Sequence, residues 1–534
     1  MKYSIDRLVV RGRRVFGFGW LFHPEYPVSA VRLELTLSDG GTVSIPVEFG
    51  RTRDDVADAF PGVATALRAG FFLYGGWSGG AATSAALVGT AGDGSGFRLA
   101  APMSDMAAPG DRPALVPDKR MLAARAWAML RRGQWRELLR KAGRHARVQA
   151  GPRPYTPAAL RRLLGSRQAL LVIDHDLGGG ANMYRERVLA GHLAAGGSAV
   201  LFTYQVQTLE HVLEIRSRRG TTRFVVPGPD EVAALAAQGL FERVLFNNAV
   251  SFERPEAIAA LLVELRQGHG IPLTVVVHDY HMVCPSQFLL DHRARYCGVP
   301  EEAVCRGCLA RNDEGFVSLF EARDIGAWRG AWGKCLAVAE SIRCFSDASR
   351  ELLLRAYPHL ERGRIAVDPH RVDHLPLRRP ALRPGAVLHV GVVGHVDRAK
   401  GAGVVRELAL EIRARGLPVR VSVIGTVAGD LPGEVVSATG AYDHAQLPRL
   451  IEESGANVFL FPSIVPETFS FVTQELIECD VPLVCFDLGA QAERVRKYNR
   501  GLVVPVGSAD LLDRLLRFHA DLQDGAPVAG RAST

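Results

Sequence analysis

Two glutamates, Glu467 and Glu475, stand eight positions apart in the stretch PETFSFVTQE. A carboxylate accepts several hydrogen bonds at once, and its two oxygens suit a pair of neighbouring sugar hydroxyl groups. The apolar strand pattern NVFLFPS precedes them, and a helix pattern that Thr468 or Ser470 could cap runs to about Cys479. Glu467 would then lie at the helix mouth, with Glu475 about two turns further on. The alternative is that both are solvated charges on a surface helix.

A run of glycines joins a strand pattern to a helix pattern in ALLVIDHDLGGGANMY. The run consists of Gly178, Gly179 and Gly180. Free backbone amides at a helix N-terminus bind anions, so these residues suit a phosphate. The run lacks the GxGxxG spacing of dinucleotide-binding folds, and a tight turn explains three glycines almost as well.

Cations cluster in VVGHVDRAKG, where a strand pattern ends at Gly394 and is followed by His395, Arg398 and Lys400. Basic groups at the carboxyl end of a strand can neutralise a diphosphate as it gains charge on leaving. The alternative is an ordinary solvated loop between a strand and a helix, which often carries Lys and Arg.

Two series of apolar strands alternating with helix patterns must position these residues. The first begins near residue 168 with ALLVID, SAVLFTY, TRFVVP, RVLFNNA and LTVVVHDY, and the second begins near 386 with AVLHVGVVG, VRVSVIG, NVFLFPS, PLVCFD and VVP. Such alternation predicts two parallel, doubly wound sheets. Ligands of these sheets bind at the carboxyl ends of the strands, and two facing domains form a cleft there.

The region before the first series differs in character. Residues 1–104 alternate apolar and polar residues around turns such as Asp39-Gly40-Gly41, which predicts a small β-sandwich. Residues 105–165 are predicted to form a basic helical linker. Within it, residues 119–147 hold ten Lys or Arg and one acid, so this segment carries +9 and the remainder of the chain about −1. The linker either packs an apolar stripe on a neighbour or lies on an anionic membrane surface.

Bulk properties limit the class of protein. With 534 residues and a mean hydropathy of +0.06, the chain is expected to be a globular protein of several domains. No apolar run has the length of a membrane span, and the start MKYSIDRLVVRGRR lacks a signal-peptide core, so we expect a cytoplasmic protein. Because the positive charge is local, nucleic acid is not an expected partner.

Half of the eight cysteines fall within 25 residues, namely Cys284, Cys297, Cys305 and Cys308. They are separated by 12, 7 and 2 residues, so only the last pair forms a short CxxC. Four thiolates could hold a structural zinc that orders a long loop, which is the interpretation we favour. The alternative is ordinary thiols packed within that loop.

The motifs together resemble a known family. Residues 168 to about 515 resemble a retaining GT-B glycosyltransferase of family 4, a group that uses nucleotide-sugar donors. PSIVPETFSFVTQELIECDVPLVCFDLGAQAERV is similar to the E-x7-E region of the family and the Gly-Ala…Glu loop after it. VVGHVDRAKG is similar to the Gly-Arg…Lys-Gly loop, with His395 where arginine usually stands. LGGGANMY resembles the glycine loop, and VVVHDY a strand end whose histidine is His278.

The resemblance implies roles for individual residues. The catalytic residues would be Glu467 on the donor sugar, His278 beside it, and Lys400 on the leaving diphosphate, and Glu475 would hold the ribose. The donor-binding residues would be Gly178, Gly179, Gly180, Gly394, His395, Arg398, Lys400, Phe469, Ser470 and Glu475. No cofactor would be required for catalysis, and zinc bound by the four cysteines would be structural.

The N-terminal stretch GFGWLFHPEYPVSAVRLEL resembles modules placed ahead of bacterial surface-polysaccharide transferases. The acceptor implied is a growing cell-surface glycan, such as a lipid-linked O-antigen or capsule chain. The enzyme would then work at the inner face of the plasma membrane, touching anionic lipid through residues 119–147. The alternatives are a non-catalytic glycan-binding or scaffold protein that keeps the GT-B fold, and a GT-B nucleotide-sugar epimerase.

Four regions follow from these interpretations. Residues 1–104 are predicted to form the β-sandwich module and residues 105–165 the linker. Residues 166–375 would form the N-terminal acceptor domain of a GT-B fold, with the Cys-rich loop at 284–308. Residues 376–534 would form the C-terminal nucleotide-sugar donor domain.

Overall fold

A computed structural model gives the structure of the chain. It describes residues 1–51, 53–105, 155–164, 168–218, 220–312, 323–372, 375–376, 379–382, 385–429 and 431–524. These residues divide into two compact units: the first extends to Leu273 and the second begins at Thr274. The basic segment 119–147, with its predicted helices, lies outside the described residues.

The first unit opens with an all-β region, as predicted. Its strands are β1 Lys2–Arg11, β2 Arg14–Phe22, β3 Val28–Leu37, β4 Thr42–Arg51, β5 Gly70–Gly76, β6 Ala82–Ala91, β7 Gly96–Ala100 and β8 Ser104–Asp105. A short helix, α1 Asp54–Ala59, and a 3-10 turn, Ala64–Ala66, lie between β4 and β5. The predicted turn at Asp39-Gly40-Gly41 is present, with Gly40 at φ 82° and the Gly41 N–H donating to Asp39 at 2.9 Å.

The predicted two-sheet sandwich is not confirmed. The eight strands form one continuous sheet in the order β7-β6-β3-β4-β5-β2-β1-β8, antiparallel except for the β1–β8 pair. One sheet forms because β4 pairs with both β3 and β5, which joins the two halves in a single ladder. Register shifts in the β1, β3 and β4 pairings let the strands bend around one apolar core that includes Leu33, Leu35 and Leu73.

The rest of the first unit is α/β. Its elements are α2 Pro157–Leu164, β9 Ala169–Ile173, α3 Gly179–Ala194, β10 Ala199–Gln205, β11 Glu210–Ser217, β12 Gly220–Val226, α4 Pro229–Ala236, β13 Phe241–Phe246 and α5 Pro255–Gln267. The strands lie in the order β12-β11-β10-β9-β13, and β9 is parallel to both β10 and β13.

The prediction of a wholly parallel first sheet is wrong. Strand β11, which the sequence analysis missed, pairs antiparallel with β10 and with β12, so these three strands form a meander. β11 escapes a search for apolar runs because it buries two carboxylates, Glu210 and Glu214. Arg216 and Arg223 pair with Glu214, which makes its burial tolerable.

Ion pairs attach the all-β region to the α/β region within the first unit. Arg11 pairs with the buried Glu210 at 3.1 Å, and Arg14 pairs with Glu253 at 2.9 Å. Glu210 begins β11, and Glu253 lies beyond the carboxyl end of β13. The N-terminal sheet is therefore fixed to the following domain rather than tethered by the linker alone.

The second unit begins within strand β14. Its first elements are β14 Leu273–Val276, α6 Glu302–Leu309, α7 Ile325–Val338, β15 Ser341–Cys344, α8 Asp347–Ala356, a 3-10 turn Arg362–Arg364 and β16 Ile365–Val367. Strands β14, β15 and β16 run parallel, in that order. Their apolar sequences and intervening helices fit the predicted α/β pattern.

A six-stranded parallel sheet follows, as predicted. Its elements are β17 His389–Val396, α9 Ala402–Ala414, β18 Arg420–Val427, β19 Val436–Ala438, a 3-10 turn His444–Gln446, α10 Leu447–Ser454, β20 Val458–Phe461, α11 Phe471–Glu478, β21 Leu483–Phe486, α12 Gly489–Arg496, β22 Gly501–Val504 and α13 Leu511–Gln523. The order is β19-β18-β17-β20-β21-β22. The chain leaves β17 toward one side and returns to β20 on the other, which opens a crevice at their carboxyl ends.

In the part of the chain that the structure describes, no helix has the length and apolar character needed to cross a membrane.

Candidate functional site

The crevice between β17 and β20 brings together two of the predicted residues. Lys400 follows β17, Glu467 follows β20, and the Lys400 Nζ lies 3.2 Å from the Glu467 Oε1. The carboxylate of Glu467 raises the pKa of Lys400. The Lys400 side chain is 45% exposed and that of Glu467 is 16% exposed, so a ligand in solvent can reach the pair.

The loops that carry this pair grip each other. The Ile464 N–H donates to the Ala399 carbonyl at 3.1 Å. Gly401 has a φ of +90°, and a β-carbon on it would stand 2.0 Å from the Pro462 carbonyl oxygen. Only glycine permits this approach, so the glycine that follows Lys400 is needed to seat the Glu467 loop.

The first turn of α12 holds the same loop from another side. The Ala490 N–H donates to the Glu467 carbonyl at 2.9 Å, and the Glu467 N–H donates to the Gln491 Oε1 at 3.0 Å. Gln491 also donates its Nε2 to the Val465 carbonyl at 2.9 Å. Sequence reasoning quoted this stretch but missed Gln491, because nothing in the pattern shows that a glutamine in a polar helix is fully buried.

The residues after Glu467 only partly follow the prediction. Ser470 precedes α11 but has a φ of +65° and makes no capping bond; its hydroxyl pairs with the Thr473 hydroxyl at 2.7 Å. Thr468 does not cap the helix either, because its hydroxyl donates to the His278 carbonyl at 2.9 Å. The capping prediction is therefore wrong. Phe469 is buried, and the Arg494 guanidinium lies 4.0 Å from its ring centre.

Glu475 occupies a different environment from Glu467. Its carboxylate is fully buried in α11, and one oxygen lies 3.0 Å from the Nδ1 of His444. Because Glu467 precedes the helix while Glu475 is within it, the two do not share a helical face. In this structure Glu475 is closed to solvent, and the His444 side chain, 57% exposed, is the outer member of the pair.

His278 is brought to the same loop. It follows β14, and its ring lies 4.9 Å from that of Phe345 and 5.9 Å from that of His370. The His370 ring in turn lies 4.9 Å from that of Phe469 and 5.1 Å from that of Phe471. His370 was not predicted as a site residue. A stack of rings therefore joins His278 to the residues that follow Glu467.

The remaining predicted residues of the basic loop lie at the end of β17. Gly394 has a φ of +111°, and a β-carbon on Gly425 of the next strand would stand 2.0 Å from the Gly394 carbonyl oxygen. The His395 Nδ1 lies 2.6 Å from the Thr426 hydroxyl, and both His395 and Arg398 are exposed. These side chains border the same crevice edge as Lys400.

The glycine loop belongs to the first unit. Gly178 and Gly179 have φ values of +87° and +83°, which explains two of the three glycines, and α3 begins at Gly179 and Gly180. The Gly178 N–H donates to the Asn182 Oδ1 at 2.7 Å, so this amide is already engaged. The predicted phosphate contact through Gly178 would require that bond to open.

A buried polar cluster that the sequence analysis did not identify supports this loop. Asp174 accepts hydrogen bonds from Asn182 and Arg185, each at 2.9 Å, and from the His175 N–H at 2.8 Å. Burial raises the pKa of Asp174 to about 6. The only trace of the cluster in the sequence is an acid placed directly after an apolar strand.

The four clustered cysteines lie in described residues but make other contacts. Cys305 accepts from Arg329 at 3.6 Å, and Cys308 accepts from Asn312 at 3.5 Å. Burial raises the pKa of Cys284 to about 12 and that of Cys297 to about 11. Among the residues that the structure describes, no group of three or more His, Cys, Asp or Glu could hold a metal ion. The zinc site stays a prediction.

Comparison with known sequences gives one family match and one curated relative. Residues 387–523 match the family described as "Glycosyl transferases group 1". A GDP-mannose-dependent alpha-mannosyltransferase of Mycobacterium tuberculosis is 27% identical over 229 residues, which are 40% of this chain and 56% of the relative. The chain thus spans little more than half the length of that relative.

Solved structures include weakly similar chains. A sucrose-phosphate synthase from Thermosynechococcus elongatus aligns with 68% of this chain and 92% of its own, at 18% identity and a TM-score of 0.46. HepE from Anabaena, solved with UDP-glucose, aligns with 68% of this chain and 93% of its own, at 16% identity and a TM-score of 0.42. Residues 387–523, which carry the Lys400–Glu467 pair, are thus the segment of this chain that is similar to the group 1 glycosyl transferases.

Proposed function

We propose that the chain transfers a sugar, with retention of anomeric configuration, from a nucleotide-sugar donor to a growing cell-surface glycan. One observation carries the proposal. The Lys400–Glu467 pair lies at the crevice between β17 and β20, where ligands of such sheets bind, within the segment that matches the group 1 glycosyl transferases.

The donor would lie across the Glu467 loop. Glu467 accepts hydrogen bonds from hydroxyls of the donor sugar, and Lys400 moves its ammonium from that carboxylate toward the diphosphate. Arg398 and His395, which are exposed beside Lys400, add donors for the same phosphates. Glu475 holds the ribose once His444 has moved aside, and the Gly179 and Gly180 amides contribute if the cleft closes over the donor.

In the transfer, the bond between the anomeric carbon and the diphosphate oxygen breaks. A bond from the acceptor hydroxyl oxygen to that carbon forms on the same face, and the hydroxyl proton passes to a donor phosphate oxygen. The nucleoside diphosphate leaves with the negative charge that Lys400 stabilises. His278 positions the sugar or the acceptor. No metal takes part in this scheme.

The relative suggests where to begin with donors and acceptors. Because it is named for GDP-mannose, GDP-mannose is the first donor to test, followed by UDP- and dTDP-sugars. The +9 charge of residues 119–147 suits an acceptor carried on a lipid in an anionic membrane. The N-terminal sheet, fixed to the acceptor domain by Arg11 and Arg14, would place that domain relative to the glycan.

The test is a transfer assay with purified protein, donor and lipid-linked glycan acceptor, following nucleoside diphosphate release and the anomeric configuration of the product by NMR. We expect release that depends on acceptor and a product of retained configuration. Glu467→Gln should lower turnover at least about 100-fold. Glu478→Gln is the matched control, since this exposed glutamate ends the same helix and should keep activity.

Other results would refute the proposal in different ways. Conversion of the donor sugar without acceptor would identify an epimerase. Absence of turnover with every donor, together with glycan binding that Glu467→Gln does not alter, would identify a scaffold protein. An inverted product would contradict retention alone.

A further inference from the structure

Gln491 is a polar side chain with no exposure to solvent and with both ends of its amide in use. Its oxygen accepts from the Glu467 N–H at 3.0 Å, and its nitrogen donates to the Val465 carbonyl at 2.9 Å. A buried amide keeps such bonds because leaving either group unpaired is costly. The two bonds fall two residues apart on the loop that ends at Glu467.

These bonds fix the direction in which the Glu467 side chain leaves the backbone. The peptide groups on both sides of Glu467 are held, since the Ala490 N–H donates to its carbonyl at 2.9 Å. Gly489 lets α12 come this close, because a β-carbon there would stand 2.8 Å from the Glu467 nitrogen and oxygen. The carboxylate that results lies 3.2 Å from Lys400.

We propose that Gln491 is a positioning residue that holds the Glu467 carboxylate in line with the donor sugar. The inference rests on the proposed function and extends it to a residue that touches no substrate. A misplacement of about 1 Å at a reacting centre can lower the rate about 100-fold. The Val465 and Glu467 peptides can move by such an amount once the amide no longer links them.

The chain offers a matched control in Asn457. This amide, 9% exposed, accepts from the His389 N–H at 2.9 Å and donates to the Val387 carbonyl at 2.9 Å. It makes the same two kinds of bond as Gln491, in the same sheet, but at the amino ends of β17 and β20. Asn457→Leu therefore removes equivalent bonds far from the crevice.

The experiment compares Gln491→Met and Asn457→Leu by hydrogen exchange at the Glu467 amide and by donor kinetics. For Gln491→Met we expect exchange at Glu467 to rise at least about tenfold. We expect kcat to fall about 10- to 100-fold, with donor KM changed less than about threefold. Asn457→Leu should lower the thermal midpoint yet leave both readouts near wild type. Gln491→Asn, which keeps the amide but shortens it, replaces Gln491→Met if that variant does not fold.

The inference is overturned if Gln491→Met keeps kcat within about threefold of wild type, or if Asn457→Leu lowers kcat as strongly. A wild type that turns over no donor refutes the proposed function itself. Hydrogen exchange separates the two failures, because unchanged exchange at Glu467 in Gln491→Met defeats the positioning argument whether or not the wild type is active.

Discussion

Replacing Gly401 with alanine should damage the site through the backbone rather than through any side chain that meets the donor. The new methyl group would stand 2.0 Å from the Pro462 carbonyl oxygen, whereas ordinary contacts of this kind begin near 3.4 Å. The oxygen must therefore retreat by about 1.4 Å. Since Pro462 begins the loop that ends at Glu467, the retreat displaces the carboxylate from Lys400.

The cost has two parts. An alanine at φ +90° pays about 1–2 kcal/mol for the left-handed backbone. Overpacking against Pro462 adds about 1–3 kcal/mol. Gly416→Ala is the matched control: Gly416 also has a positive φ, +59°, but a methyl group there meets no atom within 4 Å. It should show only the first part.

Thermal unfolding of both variants measures the difference. For a unit of this size, each kcal/mol lowers the midpoint by about 2–4 °C, so Gly401→Ala should fall below Gly416→Ala by about 2–12 °C. Donor binding should be weakened in Gly401→Ala and kept in Gly416→Ala. Equal midpoints and equal donor affinity for the two variants would refute the argument that Gly401 seats the Glu467 loop.

Three further predictions concern other parts of the chain. Arg11→Met removes the cation beside the buried Glu210 and should destabilise the first unit by about 3 kcal/mol, read from its unfolding midpoint; no change would show that the pair does not anchor the N-terminal sheet. Burial raises the pKa of Asp174 from 3.8 to about 6, so its contribution to stability is present below about pH 4 and is lost as pH rises through about 6. Wild type should therefore lose about 3 kcal/mol relative to Asp174→Asn between those limits, and parallel unfolding curves would contradict this. Glu475→Gln should weaken nucleotide binding about tenfold by calorimetry, and unchanged affinity would remove Glu475 from the donor site.

The second sheet could be predicted because its strands are short, apolar and separated by amphipathic helices. Strand β20, VFLF, is buried at every position, and its period leaves no other assignment once helices flank it. Lys400 and Glu467 could be placed for the same reason: each follows such a strand, and the carboxyl ends of parallel strands lie at one edge. Topology then brings the pair together without information on any individual contact.

The failures share a different cause. Strand β11 buries Glu210, whose cation, Arg11, comes from a strand two hundred residues earlier in the chain, and no local pattern reports such a partner. Gln491 looks like a surface residue of α12 until the Glu467 loop covers it. The Ser470 cap was predicted from residue type alone, yet its positive φ turns the hydroxyl toward Thr473. Each miss depends on a tertiary contact that overrides a sound local preference.

The most direct test of the central claim is donor binding at the Lys400–Glu467 pair. Thermal stabilisation of the wild type, Lys400→Met and Lys334→Met would be measured with GDP-mannose and with UDP- and dTDP-sugars, Lys334 being an exposed lysine on α7. We predict that one nucleotide series stabilises the wild type and Lys334→Met, and that Lys400→Met loses this stabilisation. If no nucleotide sugar stabilises the wild type, or if Lys400→Met responds as the wild type does, the crevice between β17 and β20 is not a donor site.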